Sequence, residues 1–135
     1  MGGPFRQLDI SATGLEASGI WLDAIAHNVA NVNTTVPGDQ EPFRASHPIF
    51  APIAGDPGGG VRVVGMAAEQ GDPALVAAPG DPRADQQGEI AMPVVDLVSE
   101  MTDMILATRS YQANLRVLQA ARERYEAAMQ IGRRS

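Results

Sequence analysis

The first residues to consider are the polar side chains whose spacing could support metal binding or acid–base chemistry. Asp23, His27 and Asn31 follow one another at intervals of four residues, so on a helix they share one face. An Asp and a His at this spacing can bind a metal ion, but the site needs a third ligand and none is evident. A surface ion pair between Asp23 and His27 is the simpler prediction. The second histidine, His47, lies in a loop-like region with no obvious partner.

The acidic stretch 81–89 faintly resembles a calcium-binding loop. Arg83 stands at its third position, where a ligand is needed, and Gln86 stands where the turn requires glycine, so calcium binding is rejected. Asp81 and Asp85 could work as an acid and base couple only if a cleft brought them together. Nothing in the sequence supplies such a cleft.

Other motifs that support catalysis are missing from the sequence. The glycines at positions 58–60 lack the Lys and Ser or Thr of a phosphate-binding loop, so they predict a hairpin turn. The chain has no cysteine, which excludes disulfides, thiol nucleophiles and Cys-based zinc sites. A nucleophilic triad needs a histidine near a nucleophile and an acid, and neither of the two histidines lies in a sequence pattern that indicates such a triad. The sequence therefore predicts that the protein is not an enzyme and uses no cofactor.

A long helix is predicted at the C-terminal end of the chain. From residue 97, apolar or large side chains recur at alternating steps of four and three residues for more than four heptads, which is the pattern of a coiled-coil seam. Asp96 is the predicted N-cap, with Pro93 just before it. A helix of about 36 residues would be roughly 54 Å long and needs a partner helix along its length. The seam consists of Leu97, Met101, Met104, Thr108, Tyr111, Leu115, Leu118, Arg122, Tyr125 and Met129.

A second helix with the same period is predicted near the N-terminus, over residues 8–33. Gly14 and Gly19 each weaken it by about 1 kcal/mol relative to alanine, so it depends on packing against the C-terminal helix. Two interpretations stay open: the two seams form an internal hairpin core, or they also present faces to neighbouring subunits. The N-terminal seam consists of Leu8, Ser11, Leu15, Ser18, Leu22, Ile25, Val29 and Val32.

The middle of the chain has a different composition. Residues 34–93 hold nine of the ten prolines and nine of the fourteen glycines, which excludes long helices. Short strands are predicted at 43–50, 61–66 and 74–77. The fold class is therefore mainly α with a small irregular β insert, in which the long terminal helices pack as a coiled-coil-like pair. The predicted divisions are an N-terminal helix (1–34), a Pro/Gly-rich acidic β/loop insert (35–93) and a C-terminal long helix (94–135).

Charge and hydropathy exclude several classes of partner. The formal net charge is −6. This charge argues against a protein that binds nucleic acids or anionic membrane surfaces. Residues 35–96 carry three arginines against nine acids, whereas residues 97–135 carry six arginines against four acids. No apolar run approaches the roughly 20 residues of a membrane span. The N-terminus lacks the pattern of a cleaved signal peptide, so any export is expected to use another route.

Three motifs in sequence order resemble signatures of bacterial flagellar axial proteins. The asparagine run at 28–34 is similar to the Asn-Leu-Ala-Asn-x-x-Thr signature near the N-terminus of those proteins, and 110–114, Ser-Tyr-Gln-Ala-Asn, is similar to the C-terminal signature of the rod and distal-rod proteins. The stretch 79–93 resembles Pro-Gly-x-Pro-x-Ala-x-x-x-Gly-x-Val-x-x-Pro of the proximal rod protein family FlgC, and Pro-Phe-Arg at 42–44 resembles that family's Pro-Tyr-Arg. On these motifs the chain is identified as a member of the FlgC family.

The resemblance implies a structural role in the proximal rod, the drive shaft of the flagellar basal body. Such proteins are exported by the flagellar type III apparatus without signal cleavage and polymerise in the periplasm. The implied partners are further copies of the chain and other rod proteins, with the membrane-embedded ring and the surrounding P and L rings nearby. No nucleic acid and no small-molecule substrate is implied. The alternatives are a soluble two-helix adaptor or secreted binding module, and a different flagellar rod subunit.

Under this identification, the terminal helices are expected to form the assembly interface. Gln112 and Asn114 lie off the C-terminal seam, where their amides could bond a neighbouring subunit. Arg122 lies on the seam, so it either extends outward or pairs across an interface with Glu16 or Asp9. The predicted interface residues are Leu8, Leu15, Leu22, Ile25, Val29, Asn28, Asn31, Leu97, Met101, Met104, Tyr111, Gln112, Asn114, Leu115, Leu118 and Arg122.

Overall fold

Both predicted helices are present, and local side chains account for where they begin and end. The structure, a computed structural model, describes residues 4–55 and 59–133. Helix α1 spans Pro4–Ala30 and helix α2 spans Leu97–Gly132. At the end of α1, Asn31 donates from Nδ2 to the His27 carbonyl oxygen at 2.9 Å, which satisfies a carbonyl of the last turn. Within the described residues, neither helix combines the length and apolar character needed to cross a membrane.

Asp96 begins α2 as predicted, and its cap leads to a test by pH. Its carboxylate accepts hydrogen bonds from the Ser99 hydroxyl and from the backbone amides of Ser99 and Val98. These bonds, that of the Ser99 hydroxyl first, hold the pKa of Asp96 below its ordinary value of 3.8. A group with a lowered pKa contributes stability above the unfolded-state value, and this contribution is lost as pH falls through the folded-state value.

We therefore expect Asp96→Ala to lower the melting temperature at pH 7. The difference from the wild type should narrow as the pH falls below 3.8, because the wild-type carboxyl then becomes protonated too. Thermal unfolding followed by circular dichroism at a series of pH values measures this difference. Asp39→Ala, at an exposed aspartate, is the matched control and should leave the melting temperature unchanged. A difference that stays constant down to the lowest pH would contradict this account of the cap.

Among the described residues between the helices, five strands form two antiparallel sheets. Strand β2 (Ser46–Pro52) pairs with β3 (Val61–Ala68) as a hairpin with an irregularity between Ile49 and Phe50. The second sheet has the order β1-β5-β4 and is formed by Val36–Pro37, Glu89–Ala91 and Leu75–Ala77 respectively. The three predicted strands correspond to β2, β3 and β4. Strands β1 and β5 were not predicted, because segments of two and three residues are too short to show alternation.

The hairpin packs against α1. The Trp21 and Phe50 rings meet edge to face with their centroids 5.7 Å apart. Thr13 donates from Oγ1 to the Ile10 carbonyl oxygen at 2.7 Å and accepts from the Val61 amide at 3.2 Å. The predicted turn at 58–60 is only partly visible, because residue 58 lies outside the described residues; Gly60 has φ +113°, which favours glycine. These contacts place the hairpin beside α1, on the same side as its buried residues.

The two helices run antiparallel and pack together, on α1 through part of the predicted seam and on α2 through a different face. Pairs of contacting residues fall in opposite order along the two helices, from Phe5 with Tyr125 to Asn28 with Glu100. The facing side chains are small or polar, so the backbones approach closely. On α2 this line is displaced by one residue from the predicted seam. Residues of the facing line that are buried or half-buried are Ser11, Gly14, Ser18, Ile25 and Asn28 on α1 and Glu100, Asp103, Ala107, Ser110, Asn114 and Ala121 on α2.

The interpretation of the two seams as an internal hairpin core is therefore wrong for α2. The predicted seam residues Leu97, Met101, Met104, Tyr111, Tyr125 and Met129 are all exposed, by 38 to 58%. The seam is exposed because a different face of α2, made of small and polar side chains, packs against α1. Ser18 and Ser110 approach to 3.0 Å between their hydroxyl oxygens, a distance that larger seam residues would not permit.

The close approach at Gly14 can be tested with a matched glycine. A Cβ at Gly14 would lie 2.7 Å from the Asn114 side chain, whereas a Cβ at Gly19 would meet nothing within 4 Å. We expect Gly14→Val to lower the free energy of unfolding by about 1–3 kcal/mol through overpacking. Gly19→Ala should raise it by about 1 kcal/mol through helix propensity. Urea unfolding of the purified chain measures both, and equal effects at the two positions would contradict the close approach.

Candidate assembly surfaces

One candidate surface is a stripe of exposed apolar side chains along α2, called here the methionine stripe. Its residues follow the steps of three and four that let one side of a helix meet a partner helix. Leu115 and Leu118 lie along the same line and are half-buried. An apolar surface of this length on a small chain marks a contact with another molecule. The methionine stripe consists of Leu97, Met101, Met104, Tyr111, Tyr125 and Met129.

A matching line on α1 is only partly covered. Leu8, Leu15, Leu22 and Val29 lie seven residues apart, and each is half-buried. They flank the face that packs against α2, so part of each side chain is available to a further partner. Ile25, which was predicted to lie in the same interface, is instead 1% exposed and belongs to the internal packing of the chain.

The two signature motifs divide between internal and external roles. In the C-terminal motif, Ser110 and Asn114 face α1, and Asn114 donates from Nδ2 to the Ser110 carbonyl oxygen at 3.0 Å. The prediction that the Asn114 amide is directed to a neighbouring subunit is therefore wrong, because Asn114 lies against Gly14 of its own chain. Tyr111 and Gln112 are exposed. Their role in assembly stays a prediction.

Arg122 extends outward, in agreement with one of its two predicted orientations. Its guanidinium donates from Nε to Glu126 Oε1 at 2.8 Å, one helical turn further along α2. This hydrogen bond raises the pKa of Arg122 above its ordinary value. The alternative, an ion pair across an interface with Glu16 or Asp9, stays a prediction.

The N-terminal motif contains the most completely buried polar residue of the junction between the helices and the hairpin. Asn28 is 0% exposed. Its Nδ2 donates to the Ser46 carbonyl oxygen at 3.0 Å and to Glu100 Oε1 at 3.1 Å, and its Oδ1 accepts from the Ser46 amide at 3.0 Å. One side chain thus ties the end of α1 to β2 and to the first turn of α2. Asn28 therefore lies inside the chain, which corrects its predicted place at the assembly interface.

Glu100 and His47 complete this junction. Glu100 is 1% exposed, and its Oε2 has no hydrogen-bond partner among the described residues. The His47 ring lies between two carboxylates, with Nε2 3.1 Å from Glu69 Oε2 and 3.7 Å from Glu100 Oε1. Sequence reasoning missed these contacts, because Glu69 and Glu100 are distant in the chain from His47. One feature of the sequence could have indicated the contact between Asn28 and Glu100. Asn28 is near the end of the first predicted helix and Glu100 is near the start of the second, and antiparallel packing brings these two ends together.

The residues first considered for chemistry have local structural roles. His27 packs edge to face on Phe43, with ring centroids 5.3 Å apart, and the described residues show no ion pair between His27 and Asp23, so that predicted pair is wrong. The Arg83 side chain bonds Asp81 and, together with the Arg83 amide, lowers the pKa of that carboxyl. Across residues 4–55 and 59–133, no three His, Cys, Asp or Glu side chains are grouped so that they could hold a metal ion.

The position of Asp85 also explains the shape of the acidic loop. Its Oδ1 accepts hydrogen bonds from the amides of Gln87 and Glu89 at 2.9 and 2.8 Å. These bonds turn the chain into β5, so the carboxylate is used to form the loop. The stretch 81–89 is therefore a set of turns stabilised by its own acidic side chains.

Comparison with known proteins gives a consistent picture. A family model described as Flagellar basal body rod FlgEFG protein C-terminal matches residues 86–131, which include most of α2. Proteins named flagellar basal-body rod protein FlgC are similar over nearly the whole chain. That of Salmonella typhimurium is 36% identical over 92% of this chain and 94% of its own length. That of Bacillus subtilis is 32% identical over 96% and 98%, and that of Yersinia enterocolitica is 41% identical over 82% and 84%.

Proposed function

This chain belongs to the FlgC family of flagellar basal-body rod proteins, and we propose that it builds the proximal rod by polymerising through its two terminal helices. It is a structural subunit of the basal-body rod, and its partners include other rod components. The polymer would transmit torque as a drive shaft. The observation that supports this proposal is the methionine stripe, whose side chains stay 38 to 58% exposed along a helix of 36 residues, with Tyr125 also packing on Phe5 of α1.

The apolar area of the stripe is large enough to drive association. Fully burying one Leu or Met side chain is worth about 1.5–3 kcal/mol. The six residues of the stripe are now 38 to 58% exposed, so covering them with neighbouring helices would contribute several such increments per subunit. We propose that the coiled-coil-like packing predicted for this seam forms between chains, since the facing line within the chain is made of small and polar residues.

The finer assignments of partner and place rest on the family alone. We propose that the chain is exported by the flagellar type III apparatus without signal cleavage and is assembled in the periplasm. Its neighbours there would be further copies of itself and other rod proteins. The membrane-embedded ring would lie at one end of the rod, with the P and L rings around it.

A complementation experiment tests this function. Deleting the gene from its bacterium should abolish swimming, and isolated basal bodies should retain the membrane-embedded ring but lack a complete rod. Expression of the wild-type gene from a plasmid should restore both. Normal swimming in the deletion strain, together with a purified chain that stays monomeric at high concentration, would instead favour a soluble adaptor.

A further inference from the structure

The sides of α1 and α2 that face away from each other carry opposite charges at the same spacing. On α1, Asp9, Glu16 and Asp23 lie seven residues apart, and all three are exposed. On α2, Arg109 and Arg116 lie seven residues apart and are exposed as well, and the basic column ends there because Glu123, the next residue at this spacing, is an exposed acid. Residues seven apart occupy almost the same angle on a helix, so each set forms a straight column. The two columns are distinct from the methionine stripe.

These charges have no partners within the chain among the described residues. The ion pairs there involve Glu41 with Arg44, His47 with Glu69 and Glu100, Asp81 with Arg83, and Arg122 with Glu126, so none includes a residue of either column. The two columns cannot pair with each other inside one chain, because they lie on opposite sides of the helix pair. A second molecule is needed to bring them together.

One flank of the acidic column allows a helix to approach closely, whereas on the other flank Glu16 shares a pocket with Arg62 and Val63 of β3. Ala12, Gly19 and Ala26 alternate with the acids at steps of three and four residues. A face of this kind has the period of a helix–helix seam, and its small residues leave room for the long arginine side chains of a partner. The face is therefore matched to the arginine column in period, in charge and in size.

We propose that the acidic face of α1 on one copy docks antiparallel against the arginine column of α2 on a second copy. Asp9 then lies opposite Arg116, and Glu16 lies opposite Arg109. A register shifted by seven residues is disfavoured, because it would set Asp9 against Glu123. The proposed register agrees with the antiparallel direction of the two helices inside each chain, in which Ser18 meets Ser110. Repetition of the contact produces a wall in which α1 and α2 alternate. The inference rests on the proposed polymerisation and names a second contact between copies, beside the one proposed for the methionine stripe.

Charge reversal tests the contact. Asp9→Lys with Glu16→Lys makes the four paired residues of a chain all positive, and Arg109→Glu with Arg116→Glu makes them all negative. Each variant should need at least about tenfold more protein than the wild type to assemble in 50 mM NaCl, because like charges then meet at every contact. An equimolar mixture of the two should assemble like the wild type, and so should a chain carrying all four changes. Light scattering and sedimentation measure assembly, with circular dichroism as the check on folding.

The controls separate this contact from general charge effects. Asp39→Lys with Asp72→Lys changes the net charge equally, at two exposed residues outside the helices, and should assemble like the wild type. Two reversal variants that assemble normally would overturn the inference while leaving polymerisation intact. A four-residue variant that is folded but does not assemble would overturn it as well. A wild-type chain that never assembles would overturn the proposed polymerisation itself.

Disulfide cross-linking gives a second measurement that does not depend on charge. The chain has no cysteine, so single cysteines report one contact at a time. Ala12→Cys and Gln112→Cys stand midway between the proposed ion pairs, and a mixture of the two variants should form mixed dimers on mild oxidation. Ala12→Cys mixed with Ala74→Cys, an exposed position in the insert, should not. Equal yields from the two mixtures would overturn the inference.

Discussion

Replacing Asn28 by alanine is expected to lower the free energy of unfolding by about 3–5 kcal/mol. The side chain makes three hydrogen bonds from a fully buried position. Without it, the Ser46 amide and carbonyl lose their partners, and the Glu100 carboxylate is left buried without a hydrogen bond from Asn28. Each buried group left unsatisfied costs about 1–3 kcal/mol, and more when the group is charged. Urea unfolding of the purified chain measures the loss.

The control for this variant is Asn33→Ala, five residues further along the same motif. Asn33 is exposed, so its replacement should change the free energy of unfolding by less than about 0.5 kcal/mol. Asn28→Asp should be as damaging as Asn28→Ala, because it sets a second carboxylate beside Glu100. A double-mutant cycle of Asn28→Ala with Glu100→Ala should give a coupling of about 1 kcal/mol or more. Additive effects would show that the two side chains do not act together.

Replacing Met101 and Met104 together by glutamate is expected to abolish rod assembly and swimming while the monomer stays folded. Both side chains are exposed in the monomer, by 58% and 39%, so its stability should change by less than about 1 kcal/mol. In the polymer these positions are proposed to be buried, and each unpaired buried carboxylate costs several kcal/mol. A cost of this size weakens association by about a thousandfold or more. Swimming assays and basal-body isolation measure the outcome.

Leu75→Glu with Val76→Glu is the matched control for the stripe variant. These residues are apolar and exposed to a similar degree, by 53% and 44%, but they lie in β4 of the insert and outside the helical layer. We expect this variant to swim. If the stripe variant also swims, the methionine stripe is not an assembly surface. If it fails to swim but is unfolded as a monomer, its side chains must contribute to the internal core, contrary to their exposure.

The elements of the fold were largely predictable from the sequence, because their signals are local. The three-four periodicity predicted α2, and Asp96 with Pro93 predicted its first residue. The predicted start of α1 at residue 8 was four residues late, since the leucine line begins there while the helix continues back to Pro4. The high content of Gly and Pro indicated where the insert lies. Runs of β-branched and small apolar residues predicted three of the five strands that the described residues form.

The faces of the helices could not be predicted in the same way. Periodicity shows that a helix has an apolar side, but it does not show whether that side meets the same chain or another one. In this chain the strongest apolar pattern of α2 is the exposed one. The internal contact is formed by Ser18, Ser110 and Gly14, whose small side chains give no hydropathy signal. The Asn28 junction was missed for a related reason, since its hydrogen bonds join three segments that are distant in sequence.

The burial of Glu100 also fixes the angle of α2 about its own axis. Turning the helix enough to bring the methionine stripe onto α1 would carry Glu100 away from Asn28 and would separate Ser110 from Ser18. The monomer therefore has no inexpensive rotation by which it can hide its apolar side. The same constraint would act under load. A torque applied to the outside of α2 would be transmitted to α1 and to the hairpin through the contacts of Glu100, so the subunit would rotate as a rigid body.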